Sequence, residues 1–74
     1  MPRLPAVSGK RLLRVLVRIG FLLVRQAGSH AFVEHSDGRT ATIPLHGNAD
    51  LPIGTLRGIL SDIDLSSDDL RKLL

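Results

Sequence analysis

Cysteine, tryptophan and tyrosine are absent from this chain of 74 residues, and phenylalanine occurs only as Phe21 and Phe32. Without cysteine the protein can form neither disulfides nor thiolate metal sites, and thiol catalysis is excluded. Aliphatic side chains must therefore build the core, which agrees with a hydrophobic content of 43%. A chain of this length predicts a single small domain over residues 1–74 with modest stability. Residues 1–7 contain two of the prolines and are expected to form a flexible arm.

Acidic residues are missing from residues 1–33, although the whole chain contains seven of them. The same segment is rich in basic residues, namely Arg3, Lys10, Arg11, Arg14, Arg18 and Arg25. Such charge polarity is typical of proteins that bind a polyanion such as nucleic acid. An ordinary solvated basic helix face explains the charge equally well, and charge alone leaves both interpretations open.

The sequence also has no hydrophobic run long enough to span a bilayer. Its longest apolar stretch, LLRVLVRIGFLLV, is interrupted by Arg14 and Arg18, and no small-residue cleavage site follows it. A basic amphipathic helix resting on a membrane surface is the alternative. Because the next segment is predicted to be a strand, we expect a cytoplasmic protein without membrane contacts.

A first helix is predicted over residues 9–19, with Ser8 as its N-cap and Gly20 as its C-terminal stop. Its apolar stripe has helical spacing and consists of Leu12, Leu13, Leu16 and Ile19. The opposite, solvated side is expected to carry Arg11, Arg14, Arg18 and Val15.

Three strands are predicted next, over residues 21–26, 30–35 and 39–43. Asp37-Gly38 is a strong hairpin signal between the second and third strands, and Pro44 is expected to end the third. Alternation allows either of two residue pairs of the second strand to face the core. These pairs are His30 with Phe32, and Ala31 with Val33.

A second helix is predicted to begin near Pro52, and a short terminal helix to begin at Ser67 with Ser66 as its cap. The core-facing stripe of the second helix consists of Leu56, Ile59, Leu60 and Ile63. The predicted order is thus α-β-β-β-α followed by a short C-terminal helix. Short connections make the three-stranded sheet antiparallel, with the helices on one face, which is the α+β layout of the double-stranded-RNA-binding domain.

Histidine is the side chain best suited to chemistry in this sequence. His30, His35 and His46 do not have the spacing of a known metal motif, so we expect neither a metal nor a cofactor. RNA carries its own nucleophile, the 2′-OH, whose proton an imidazole can remove near neutral pH. Gly28 would let a phosphate approach the backbone, and Ser29 could donate a hydrogen bond to it. From the residues alone, a hairpin loop followed by an exposed histidine remains the simpler interpretation.

Three consecutive segments resemble the HicA family of mRNA-cleaving toxins. They are VRQAGSH (24–30), HSDGRTATIP (35–44) and LHGNADLPIGTLRGIL (45–60), and they follow a helix that ends in Gly20-Phe21. The resemblance covers roughly residues 8–65. GSH alone is a weak motif, whereas GSH, DGR, a proline-X-histidine element and GTLRxIL in this order are specific.

The resemblance implies a double-stranded-RNA-binding-like fold and a ribosome-independent endoribonuclease that cleaves single-stranded mRNA and is neutralised by a HicB-type antitoxin. The catalytic histidine of the family's GSH motif corresponds to His30. The chain departs from many members at Ala31, where they have a second histidine, and at Ser36, where they have proline.

The resemblance also implies roles for further residues. His46 is expected either to hold its loop by a hydrogen bond or to donate the proton to the leaving oxygen, and His35 to orient the hairpin or pack at the strand end. The expected RNA contacts are Lys10, Arg11, Arg14, Arg18, Arg25 and Arg57. Two alternatives are a non-catalytic RNA-binding module of the same fold and a protein-interaction domain with a basic face.

Overall fold

The computed structural model describes residues 4–74 and confirms the predicted order of elements. The elements are α1 (Gly9–Arg18), β1 (Phe21–Ala27), β2 (His30–His35), β3 (Thr40–Pro44), α2 (Ile53–Asp62) and α3 (Ser67–Leu73). Pro44 is the last residue of β3 rather than the stop after it. This is possible because β3 is an edge strand, where a residue without an N–H leaves no ladder bond unmade.

The sheet has the strand order β1-β2-β3 with antiparallel pairing throughout. Ala31 lies opposite Ile43 and Val33 lies opposite Ala41, and all four of these side chains are buried. The alternation of β2 is thereby settled, since Ala31 and Val33 face the core. His30 and Phe32 consequently point to the opposite face of the sheet.

The core lies between one face of the sheet and the helices. Its largest fully buried side chains are Phe21, Leu12, Leu16, Ile43, Leu56, Ile63 and Leu70. Both predicted helical stripes contribute to it, although Leu13 and Ile19 are only partly buried. This arrangement is the predicted α+β fold of double-stranded-RNA-binding type.

Helix α1 begins at the predicted residue, but the side of the helix that was predicted to be solvated contains a buried residue. The Ser8 hydroxyl accepts a hydrogen bond from the Arg11 N–H at 3.2 Å, which makes Ser8 the N-cap. Val15, which was expected on the solvated side, is buried with 2% of its surface exposed. The prediction for Val15 is wrong because it lies three residues after Leu12 and directly before Leu16, so the buried stripe is wide enough to include it.

The described part of the predicted flexible arm packs against the domain, and residues 1–3 lie outside the described residues. Val7 is fully buried, and its carbonyl oxygen accepts a hydrogen bond from the Leu51 N–H at 2.8 Å. Ser8 forms an isolated antiparallel bridge with Asp50. These contacts place the segment before α1 beside the segment before α2.

The last two helices start near the predicted residues. Pro52 precedes α2 without any side-chain cap, whereas the Ser66 hydroxyl caps α3 by accepting from the Asp69 N–H at 3.0 Å. Among the described residues, no helix is long and apolar enough to cross a membrane.

Candidate active site

Both long helices begin at the same end of the sheet, and this end also contains His30. Gly9, the first residue of α1, lies so close to the Pro44 carbonyl that an added Cβ would overlap its oxygen, and Pro44 pairs with His30 across the sheet. The bridge from Ser8 to Asp50 brings the start of α2 to the same place. Neither helix has an acidic residue in its first turn. The positive ends of two helix dipoles therefore lie at the same end of the sheet as His30.

The GSH motif forms the turn between β1 and β2 and the first residue of β2. Ala27 pairs with His30, so Gly28 and Ser29 are the two loop residues of a hairpin. Gly28 has φ +58°, and no heavy atom lies near the position of an added Cβ. A positive φ at the first loop position is the pattern of a type II′ turn, which favours glycine. The backbone here is open to an incoming ligand.

His46 lies beside His30, although 16 residues separate them in the sequence. Their ring centroids are 6.2 Å apart and the rings are nearly perpendicular, at 84°. A backbone hydrogen bond from the Leu45 N–H to the Ser29 carbonyl ties the His46 loop to the GSH turn. Both histidines are exposed to solvent. The structure thus brings together Gly28, Ser29, His30 and His46.

The predicted RNA-contacting cations are spread over the molecule. All six are exposed: Lys10, Arg11, Arg14, Arg18, Arg25 and Arg57. Lys10 and Arg11 lie in the first turn of α1, at the end of the molecule that contains His30. Arg57 is the fifth residue of α2, one turn from the same end.

Arg14 and Arg18 lie farther along α1, and Arg18 is about 12 Å beyond Lys10 at the helical rise per residue. The Arg18 guanidinium donates a hydrogen bond to the Leu73 carbonyl at 2.7 Å, so it braces the C-terminal helix. A shallow groove along α1 is lined by Arg14, Arg18 and Leu74, and also by Arg11. Arg14 and Arg18 thus lie farther along α1 from its first turn than Lys10 and Arg11.

Arg25 occupies the helix-free face of the sheet. It pairs directly with Phe32 across β1 and β2, and its guanidinium carbon lies 5.2 Å from the centre of the Phe32 ring. This separation is typical of a cation–π contact. Because His30 and Phe32 are two residues apart on β2, they share this face.

At the opposite end of the sheet, His35 packs at the end of β2, which is one of its two predicted roles. Its ring meets the buried Phe21 ring edge to face, with centroids 5.0 Å apart. Nε2 lies 3.2 Å from the Ile19 carbonyl oxygen, and Nδ1 lies 3.2 Å from the Asp37 backbone N–H. The Nδ1 atom also lies 3.1 Å from the Oδ2 atom of the Asp37 carboxylate. Gly20, with φ +107°, leaves the space that the His35 ring occupies.

Arg39 of the DGR motif extends this brace to α2. Its guanidinium binds the Asp37 carboxylate, with Nε–Oδ2 at 2.9 Å, donates to the Ile63 carbonyl at 2.6 Å and covers the Phe21 ring at 5.1 Å. The Arg39 side-chain hydrogen bond, followed by its backbone hydrogen bond, lowers the pKa of Asp37 below its ordinary value. His35 and the DGR motif together thus tie the C-terminal ends of both helices to the hairpin. This end of the sheet is about 17 Å from His30 at the rise of an extended strand.

Within residues 4–74, no group of three or more histidine, aspartate or glutamate side chains is placed to hold a metal ion. The candidate site has two imidazoles beside an open glycine turn, and Lys10 and Arg11 lie in the first turn of α1 at the same end of the sheet. This combination defines a small α+β domain of double-stranded-RNA-binding type with a histidine pair at one end of its sheet.

Residues 9–65 match the family model described as the HicA toxin of bacterial toxin–antitoxin systems. Because the match covers well over half of the chain, the protein belongs to the HicA toxin family. A search of curated proteins found no match.

Sequence reasoning missed two features of the described structure. The sequence did not determine whether Phe32 faces the core or the surface. In the structure it lies on the same face of the sheet as His30, away from the core. Arg39 was interpreted only as part of a turn motif, and its bond to the Ile63 carbonyl had no signal in the sequence because it joins residues 24 positions apart.

Proposed function

We propose that this toxin is a ribosome-independent endoribonuclease that cleaves single-stranded mRNA with His30 as its central catalytic residue. The observation that carries this proposal is the pairing of His30 with His46 at 6.2 Å beside an open glycine turn. RNA cleavage needs one group that accepts a proton and one that donates a proton, and two imidazoles can fill both roles near neutral pH.

In the proposed reaction, His30 removes the proton from a ribose 2′-OH, and the resulting oxyanion attacks the adjacent phosphorus. The O2′–P bond forms, the P–O5′ bond breaks, and His46 transfers a proton to the departing O5′. The products are a 2′,3′-cyclic phosphate and a free 5′-OH, so no water, metal or cofactor is consumed. The site is exposed, which suits a substrate that is a long polymer.

The charge that develops on the phosphate needs positive partners. The end of the sheet that contains His30 also contains the starts of α1 and α2 and the open backbone at Gly28. Lys10 and Arg11 lie there too, in the first turn of α1. Fixed dipoles and cations aimed at a developing charge stabilise it without reorganisation. Asp50 opposes this field at the same end, so we assign Lys10, Arg11 and Arg57 to phosphate attraction, with Ser29 as a hydrogen-bond donor.

The test is incubation of unstructured RNA with the wild type, His30→Ala and His46→Ala, in the presence of EDTA. We expect His30→Ala to abolish cleavage. His46→Ala should retain weak cleavage but lose the decline in rate at high pH, because that decline reports deprotonation of the acid. His35→Asn serves as the control histidine outside the site and should still cleave after its fold is verified by circular dichroism.

Undiminished cleavage by His30→Ala would refute the catalytic assignment. A ribose-to-deoxyribose change at the cleaved position should stop cleavage, and equal cleavage of DNA would exclude the 2′-OH as nucleophile. Salt-dependent RNA binding by a wild type that yields no product would instead favour the non-catalytic RNA-binding module.

The toxin family implies an antitoxin partner, and we propose that it is of the HicB type and acts in the cytoplasm, where mRNA is available. Cleavage should stop when the antitoxin is added in equimolar amount, and it should resume after the antitoxin is removed by proteolysis.

A further inference from the structure

The helix-free face of the sheet presents an aromatic ring beside the catalytic histidine. Phe32 lies two residues after His30 on β2, which places the two side chains on one face and about 7 Å apart along the strand. Phe21, the other phenylalanine, is fully buried and fills the core. Phe32 is only partly buried on the face that no helix covers, so core packing does not account for an aromatic residue here.

Arg25 turns this ring into a layered platform. Its guanidinium lies over the ring at 5.2 Å, and direct pairing in the sheet register holds both side chains in place. Aromatic rings and guanidinium planes are the two kinds of side chain on which unpaired RNA bases stack. The positive charge of Arg25 also favours the approach of a phosphate.

We propose that the Arg25–Phe32 pair binds one nucleobase of single-stranded RNA, next to the phosphate that His30 engages. This inference rests on the proposed endoribonuclease function and adds a binding subsite to it. The base stacks on the platform while its phosphate reaches the His30 end of the sheet. Stacking accepts every base, so the subsite orders the strand more than it selects a sequence.

The charges along β2 limit the subsite to one base. Glu34 is the next residue of β2 on this face, it is exposed, and its carboxylate repels phosphates. Phosphates are attracted by Arg25 beside Phe32 and, at the end of the sheet that contains His30, by Lys10 and Arg11. The RNA strand therefore runs from Phe32 toward His30 and leaves the protein there, without crossing the Glu34 end of the sheet.

The first experiment measures binding without turnover. His30→Ala is titrated with a short, unstructured, fluorescein-labelled RNA, and binding is followed by fluorescence anisotropy. Adding Phe32→Leu, which keeps an apolar side chain but removes the ring, should weaken binding at least about fivefold. Phe32→Trp should restore binding. Thr42→Ala is the matched control, because Thr42 pairs with Phe32 and is exposed on the same face, and it should bind like the parent.

The second experiment removes the base instead of the ring. Abasic nucleotides placed one at a time along the RNA should weaken binding at one position, and that position should have no effect on the Phe32→Leu protein. An unchanged affinity of Phe32→Leu, or equal loss in Phe32→Leu and Thr42→Ala, would overturn the subsite. So would a defect confined to antitoxin binding. If the wild type fails to cleave RNA but the abasic position still depends on Phe32, the nuclease proposal fails and the subsite stands.

Discussion

Gly9→Ala tests how closely α1 must approach the strand that positions His30. Gly9 is buried at the start of α1, and an added Cβ would overlap the Pro44 carbonyl oxygen and would also contact the Leu45 side chain at 3.4 Å. Backbone atoms cannot move aside as a flexible side chain can, so the helix must shift away from β3. We expect the substitution to destabilise the protein by about 1–3 kcal/mol, the usual cost of overpacking.

Thermal unfolding followed by circular dichroism measures this effect. In a domain of this size, each kcal/mol lowers Tm by about 4–8 °C. Gly58→Ala is the matched control, because Gly58 lies inside α2 and nothing lies near an added Cβ. There the better helix propensity of alanine should stabilise the protein by about 0.5–1 kcal/mol. The same chemical change should thus have opposite signs at the two glycines.

RNA cleavage gives a second measurement of Gly9→Ala. Pro44 pairs with His30, and Leu45 fixes the loop of His46 to the GSH turn, so a displaced Pro44 changes the spacing of the two histidines. Activity should fall even at temperatures where the variant is fully folded. A Gly9→Ala protein as stable and as active as the wild type would refute the close approach of α1 to β3.

Three other predictions follow from the packing, the electrostatics and the backbone. Val15→Ala should destabilise the protein by about 1–2.5 kcal/mol in denaturant unfolding, whereas Val17→Ala, at a site with 49% exposure, should have almost no effect; equal effects would contradict the buried position of Val15. Asp37 has a lowered pKa in the folded protein, so its contribution to stability is present above its ordinary value of 3.8 and is lost as the pH falls below it. Asp37→Asn should flatten this acid dependence of Tm, and an unchanged slope would argue against the Arg39 contact. Gly28→Ala should cost about 1 kcal/mol of stability in thermal unfolding through backbone strain alone.

Local patterns in the sequence were sufficient to predict the helices, strands and caps. Ser8 and Ser66 cap their helices as expected, because a cap depends on residues within one turn. Val15 was misplaced because the width of a buried helical stripe depends on what packs against it. The packing of Val7 likewise depends on a hydrogen bond with Leu51, far along the chain.

In the candidate site, too, local sequence patterns predicted the position of one histidine, whereas the position of the other depends on tertiary contacts. The GSH motif and the alternation of β2 were visible in the sequence, so His30 could be placed at a strand start beside a glycine turn. The position of His46 could not be derived, because it depends on the bond between the Leu45 N–H and the Ser29 carbonyl. This bond joins two loops whose conformations no periodic pattern describes.

Substitutions at the two ends of the sheet should differ in whether they affect stability or activity. At the DGR end, His35, Asp37 and Arg39 bind one another and the helix ends, so changes there act first on stability. At the other end, the side chains of His30 and His46 are exposed to solvent. Changes there can remove chemistry without unfolding the domain. His30 contributes nothing to the core and faces a second histidine at 6.2 Å, so the proposed catalytic role predicts that His30→Ala loses RNA cleavage while it keeps the Tm of the wild type.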